Sequence, residues 1–177
     1  MDTLLDYIFI FFFYSNVGWF FESLYCSAPV KRWINRGFLT GPICPIYGAG
    51  AIVMDVFLAP LSGRWYLVYF GGMVLCDIVE LVTGIILDKL FNQRWWDYSG
   101  KFMNYKGYIC LKHTFIWGGV ALFNVKLMHP FFKSGFALIP DIYRNIILGI
   151  ILTVFVFDLA DAVLTSVKTK RKLKNNA

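Results

Sequence analysis

Residues Trp65–Leu87 read WYLVYFGGMVLCDIVELVTGIIL, an apolar run whose only charged residues are Asp77 and Glu80. A bilayer with a hydrocarbon core of ~30 Å is crossed by a helix of about 20 such residues, so this run is long enough to span. An ionised side chain near the bilayer centre costs at least ~2.5–3.5 kcal/mol on insertion scales. The spacing of the two acids puts both on one helical face. A span that keeps them uses them to hold helices together or to handle a ligand.

Four more runs of the same kind flank this one, at Leu4–Ser27, Phe38–Leu58, Tyr108–Lys126 and Tyr143–Val167, and carboxylates recur within them at Glu22, Asp158 and Asp161. The expected fold class is therefore all-α, a polytopic membrane protein of five transmembrane helices. Residues 1–167 form a single transmembrane domain and residues 168–177 a basic cytoplasmic tail. The stretch from Asp88 to Gly107 is the longest between spans and too short to fold as a separate domain. Met1–Asp6 lacks the basic n-region of a removable signal peptide.

Composition agrees. The chain is 58% hydrophobic, 19% aromatic and only 16% charged, with a mean hydropathy of +0.60; soluble domains carry ~25% charged residues. Charge placement sets the orientation. The tail Lys168, Lys170, Arg171, Lys172 and Lys174 stays cytoplasmic under the positive-inside rule. Five spans then place the N-terminus, with Asp2 and Asp6, outside. Lys31, Arg32, Arg36, Lys89, Arg94, Lys101, Lys106 and Lys112 fall inside, while Arg64, Lys126, Lys133 and Arg144 fall outside. The net charge of +6 accordingly meets anionic headgroups of the lipid bilayer; no nucleic-acid motif accompanies it. Cys26, Cys44, Cys76 and Cys110 show neither a disulfide pattern nor a metal-ligand spacing, and are expected as reduced, mostly buried thiols.

An offset of 70 aligns the chain with itself without gaps. Arg36-Gly37-Phe38-Leu39 meets Lys106-Gly107-Tyr108-Ile109, and Ile46-Tyr47-Gly48-Ala49 meets Ile116-Trp117-Gly118-Gly119. Trp19-x-x-Glu22, Asp77-x-x-Glu80 and Asp158-x-x-Asp161 correspond in the spans between. Two tandem helical hairpins and a final half-repeat would explain the pattern, and would let the acids of spans one, three and five converge. Chance similarity between Gly-bearing aromatic helices is the plainer alternative.

The segment from Asn35 to Gly50 holds two prolines and four glycines. Each proline removes a backbone donor and clashes with the preceding turn. Irregular backbone at membrane depth persists only when buried in protein or facing a water-filled cavity. Gly41, Pro42, Pro45, Tyr47 and Gly48 are therefore candidates for a broken, gate-like entry to span two with a backbone binding site. Gly37-x-x-x-Gly41 reads equally well as a close helix-packing motif.

Gly18-Trp19-x-x-Glu22-Ser23-x-Tyr25 and Asn35-Arg36-Gly37-Phe38-Leu39-x-Gly41-Pro42-x-x-Pro45-Ile46-Tyr47-Gly48 resemble the ABC-transporter type IV (CmpB-like) family of small bacterial membrane proteins. Trp96-Asp97-Tyr98-Ser99, Gly107-Tyr108-Ile109-Cys110-Leu111 and Trp117-Gly118 extend the resemblance over residues ~15–130. It implies a bacterial inner or plasma membrane and a permease role, and supplies no substrate and no catalytic residue. The sequence has no P-loop, so an ATPase, where needed, is a separate chain.

The acids Glu22, Asp77, Glu80, Asp158 and Asp161 are the candidate cation or proton site, since neighbouring carboxylates raise one another's pKa. A divalent cation is an alternative occupant. Packing ion pairs with Arg36, Lys106, Lys112 or His113 are the structural alternative. Asp55, towards the outside of span two, has fewer basic candidates than these acids. His113 is expected as a salt-bridging residue or a proton relay, and His129 as a surface residue. The Asn92–Lys106 loop, with aromatics among basic residues, reads as an interfacial segment.

Two functions compete. One is a permease-like protein or transporter subunit for a small solute, homo-oligomeric or joined to a separate ATPase subunit. The other is a membrane-embedded enzyme acting on a lipid or isoprenoid phosphate headgroup; a non-catalytic regulatory subunit is a third reading. The balance leans away from an enzyme.

Overall fold

The computed structural model describes residues 4–175; Asp2 and the last two residues of the expected tail lie outside them. Six α-helices follow in order: α1 (Leu4–Ser27), α2 (Pro45–Phe57), α3 (Trp65–Phe91), α4 (Leu111–Phe123), α5 (His129–Ala137) and α6 (Asp141–Asn175). A short antiparallel hairpin, β1 (Asn104–Tyr105) with β2 (Ile109–Cys110), precedes α4. A π-helical stretch, Asn124–Met128, joins α4 to α5.

α1, α3 and α6 are long and apolar enough to cross a membrane. The packing of α3 shows which solvent it is built for. Its exposed side chains Tyr66, Phe70, Val74, Ile78, Val82, Ile86 and Leu90 recur at every fourth residue, and its buried residues Val68, Gly72, Cys76, Glu80 and Gly84 do the same on the other side. Large apolar side chains face outward while small and polar ones face the bundle. A water-soluble helix does the reverse; small residues inside and grease outside is the pattern of helices packed in lipid.

Three expected boundaries differ. Span two was expected from Phe38, yet the helix starts only at Pro45. Proline at the first helical position needs no hydrogen-bonded N–H and its φ is already helical, while Cys44 before it is extended. Residues 38–44 are turns, leaving α2 thirteen residues long, short of the ~20 that a span takes. Span four was expected to end near Lys126, but the chain stays helical through the π stretch to Ala137. α6 runs further than Tyr143–Val167, and Lys170 Nζ donates to the carbonyls of Lys89 (3.3 Å) and Leu90 (2.8 Å). A lysine there satisfies carbonyls that the end of α3 leaves open. α3 itself stops at Asn92, which adopts the left-handed conformation at φ 54°.

Three clusters make the core. Phe12, Leu39, Ile43 and Ala162 join α1, the 38–44 turns and α6. Ile10, Tyr14 and Ala51 join α1 to α2, and Met54, Leu58, Val68, Cys76, Ala121 and Val125 join α2, α3 and α4.

The turns are latched to α6. Asp158 accepts the backbone N–H groups of Thr40 (3.0 Å) and Gly41 (2.9 Å). A Cβ on residue 41 would stand 2.7 Å from Asp158 Oδ2, so the glycine admits the carboxylate. Hydrogen bonds to an ionised acceptor are roughly twice as strong as neutral ones. Asp158→Asn is therefore expected to speed hydrogen–deuterium exchange at residues 40–44 about tenfold, the effect of ~1.4 kcal/mol, a typical hydrogen-bond contribution. Unchanged exchange there would show the latch to be inert.

Candidate functional site

Glu80 lies at the centre of the bundle and is 4% exposed. Its Oε1 accepts the Tyr98 hydroxyl at 2.9 Å and its Oε2 the Trp117 indole N–H at 3.1 Å. Both donors are neutral. Trp117 comes from α4, brought close because Gly72 and Ala121 meet where α3 and α4 cross. Tyr98 comes from the loop after α3, folded back over the bundle rather than lying flat at an interface. Its ring stacks on His113, with centroids 4.3 Å apart and planes at 16°. Burial, and then the Glu80 charge, push the Tyr98 phenol above its ordinary value, so it stays a neutral donor.

The loop holds its shape through its own polar groups. Asp97 Oδ1 accepts the Ser99 N–H at 2.9 Å and the Ser99 hydroxyl at 2.5 Å, which hold its carboxyl below the usual range. Trp96 Nε1 donates to the Tyr108 carbonyl at 2.9 Å, and Arg94 reaches Asp88 at 3.1 Å.

Glu22 approaches from α1. Arg36 Nε lies 3.4 Å from its Oε1, and Cys44 Sγ is 3.8 Å from Oε2. Tyr47 also adjoins Glu22. Tyr47 lies against Gly18 of α1, and its ring is 6.1 Å from that of Trp117. Tyr47 and Trp117 thus bridge the two acids, whose charges act on one another. Arg36 is held in turn by the Trp95 carbonyl at 3.1 Å. Phe38, stacked on Phe91 at 5.2 Å and edge-on to Trp95 at 5.3 Å, closes this end.

Asp77, one turn from Glu80, accepts the Thr114 hydroxyl at 2.6 Å through Oδ2, while its buried Oδ1 has no partner among the described residues. It borders an open recess of about 410 Å³ beneath the hairpin, lined also by Met103, Asn104, Tyr105, Cys110 and Thr114. His113 Nδ1 is 3.1 Å from Cys110 Sγ.

The five acids are thus not gathered into one site. Glu22 and Glu80 lie on either side of the Tyr47–Trp117 contact, Asp77 is one turn from Glu80, Asp158 is committed to the 40–41 backbone, and Asp161 is exposed on α6. Of the expected basic partners, Arg36 meets Glu22; Lys112 is exposed and Lys106 Nζ sits 5.6 Å over the Tyr105 ring. Among the described residues no group of three or more His, Cys, Asp or Glu is placed to hold a metal ion. Gly41 meets Asp158, Tyr47 lies against Gly18, and Gly48 packs against Phe11 and Ser15 of α1, with Pro42 exposed and Pro45 opening α2.

Sequence reasoning missed Tyr98 and Trp117 as partners of Glu80. The Ile-aromatic-Gly-small repeat flagged Trp117; nothing in the loop's composition set Tyr98 apart from its aromatic neighbours. Two readings at the opposite end are corrected. Asp55 has basic partners, with His129 Nε2 at 2.6 Å and Lys133 Nζ at 3.4 Å from its Oδ1, and His129 is buried rather than on the surface.

Bundle packing suited to lipid, with Glu22, Asp77 and Glu80 turned inward, defines an integral membrane protein with a polar interior. Residues 9–163 match the family model described as "Putative ABC-transporter type IV", and the chain belongs to that family. The match and the three apolar helices fit a transport-related membrane protein. No curated protein and no solved structure matches the chain.

Proposed function

We propose that the protein is a permease-like transporter subunit of the bacterial cell membrane, in which the Glu22–Glu80 pair binds a proton or a cationic group of a small solute. The observation that carries this reading is Glu80 itself: a buried carboxylate whose donors among the described residues, a phenol and an indole, bring no positive charge. In a low-dielectric interior an uncompensated carboxylate takes up a proton or a cation. Arg36 offsets the charge of Glu22 and leaves that of Glu80. The recess at Asp77 supplies access from the hairpin end, and the latched 38–44 turns form the gate.

Five crossings, with the N-terminus outside, fit the positive-inside count. α2 together with its irregular entry makes the second crossing, and α4 continued through the π stretch makes the fourth. Positive φ at both Gly37 (104°) and Gly107 (77°), and the meeting of Tyr47 with Trp117, support a tandem hairpin repeat.

The family description points to an ATPase on a separate chain. Native mass spectrometry of the protein, extracted gently from its own membrane, is expected to show an ATPase chain or a fixed homo-oligomer. A monomer carrying a tightly bound phospholipid or isoprenoid phosphate would overturn this reading in favour of a membrane-embedded enzyme.

A further inference from the structure

The end of the bundle away from the hairpin holds a second buried polar group, independent of the Glu80 site. Its members come from four elements: Tyr14 on α1, Asp55 on α2, Asn124 at the start of the π stretch, and His129 with Lys133 on α5. Exposure falls along the line. The Lys133 side chain is 38% exposed, Asp55 9% and His129 5%, and Tyr14 and Asn124 are buried behind them.

The π stretch explains how two of these residues share a side. Its wider turn closes the His129 N–H onto the Asn124 carbonyl, setting residues five apart one above the other. Asn124 Nδ2 then reaches Met54 Sδ at 3.4 Å, next to Asp55. The Tyr14 ring runs roughly parallel to that of His129, centroids 6.3 Å apart and planes at 23°.

Buried polar atoms are nearly always hydrogen-bonded. Here the Tyr14 hydroxyl, Asn124 Oδ1 and both His129 ring nitrogens have no hydrogen-bond partner among the described residues, although each side chain is more than nine-tenths buried and His129 Nε2 lies 2.6 Å from Asp55 Oδ1. Such a group, joined to the surface through a lysine and a carboxylate, is built to take up a small polar species.

We propose that Asp55 and His129 form a proton-binding site at this end, loaded past Lys133, with Tyr14 and Asn124 as its inner polar wall. In the unloaded state the imidazole is neutral, with Nε2 lying 2.6 Å from Asp55 Oδ1. The incoming proton, delivered by solvent, adds to the lone pair of Nδ1. The N–H bond forms as an O–H bond of a hydronium ion breaks and leaves water, and Asp55, His129 and Lys133 together pass from net zero to net +1.

The charged and titratable groups around the imidazole set its response. Asp55 favours the loaded form and Lys133 opposes it. Tyr14 is neutral at ordinary pH, Lys126 is exposed, and Arg144 on α6 is occupied by Asp141 at 3.3 Å and the Ile139 carbonyl at 2.7 Å. Asp6 is the other buried acid on the Tyr14 side of α1.

The test is ¹⁵N magnetic resonance of histidine-labelled protein in bilayers, with His113→Gln used to assign the two imidazoles. The His129 nitrogens are expected to change by one proton between mildly alkaline and mildly acidic medium. Asp55→Asn is expected to move that midpoint to lower pH by about 1–3 units, the effect of removing an opposite charge at this range. Where Asp55→Asn fails to fold, Lys133→Gln serves, and is expected to move the midpoint upward. An imidazole of fixed protonation across that range, or a midpoint that neither variant moves, would overturn the proposal and leave a static ion pair.

Discussion

Gly48→Val is expected to destabilise the protein by about 3 kcal/mol or more, the upper end of the overpacking range. The contact between α1 and α2 leaves no room at this position. A Cβ there would collide with the Phe11 carbonyl oxygen, the Ser15 hydroxyl and the Phe11 ring. A carbonyl fixed in a helix cannot step aside, so the helices must part. Parting would also pull Tyr47 away from Glu22, because Tyr47 adjoins Gly48 on α2. Thermal unfolding in detergent measures the loss, with Gly149→Ala on α6 as control. Nothing lies within 4 Å of a Cβ at Gly149, and alanine is the better helix former by about 0.8–1.0 kcal/mol. The valine variant should melt far below wild type, and the alanine variant at or slightly above it.

Glu80 yields the second large effect, split between two substitutions. Glu80→Ala strands the Tyr98 hydroxyl and the Trp117 N–H in the interior and opens a cavity. Each buried unsatisfied group costs about 1–3 kcal/mol, so a loss of about 3 kcal/mol or more is expected once the cavity is added. Glu80→Gln keeps the size and an acceptor for one donor, while the Tyr98 hydroxyl turns to accept from the amide. Its stability is expected to stay within about 1 kcal/mol of wild type, the scale of a typical net hydrogen bond. It loses the ionisable oxygen, however. Proton counts from pH jumps on reconstituted protein are expected to fall by one per chain. A glutamine variant as unstable as the alanine one would mean that the charge of Glu80 serves the fold.

Much of this architecture was legible from residue types. The apolar runs, the acids within them and the Pro/Gly break all follow from what a bilayer charges for polar and irregular backbone. Glu22 with Arg36 could be anticipated, because acids and bases near one membrane face pair. Boundaries were less legible. Pro45 opens α2 because proline starts helices, but the same residue inside an apolar run reads as a kink. The π stretch leaves no mark on Asn124–Met128, and it is what turns His129 inward, against the expectation that a histidine before Pro130 sits on the surface. Tyr98 was hidden for another reason. An aromatic loop beside a membrane span looks interfacial, and only the tertiary fold shows which ring leaves the interface to reach Glu80. The separation of Asp158 from the other acids likewise depends on the turns at residues 38–44 meeting α6, a contact far apart in sequence.

The most direct test is infrared difference spectroscopy of the protein in lipid bilayers as the medium passes from mildly acidic to mildly alkaline. A protonated-carboxyl C=O band is expected to fade as pH rises, and to be missing in Glu80→Gln while the amide bands match wild type. Difference spectra of wild type and Glu80→Gln that superimpose would contradict a proton-exchanging site at Glu80.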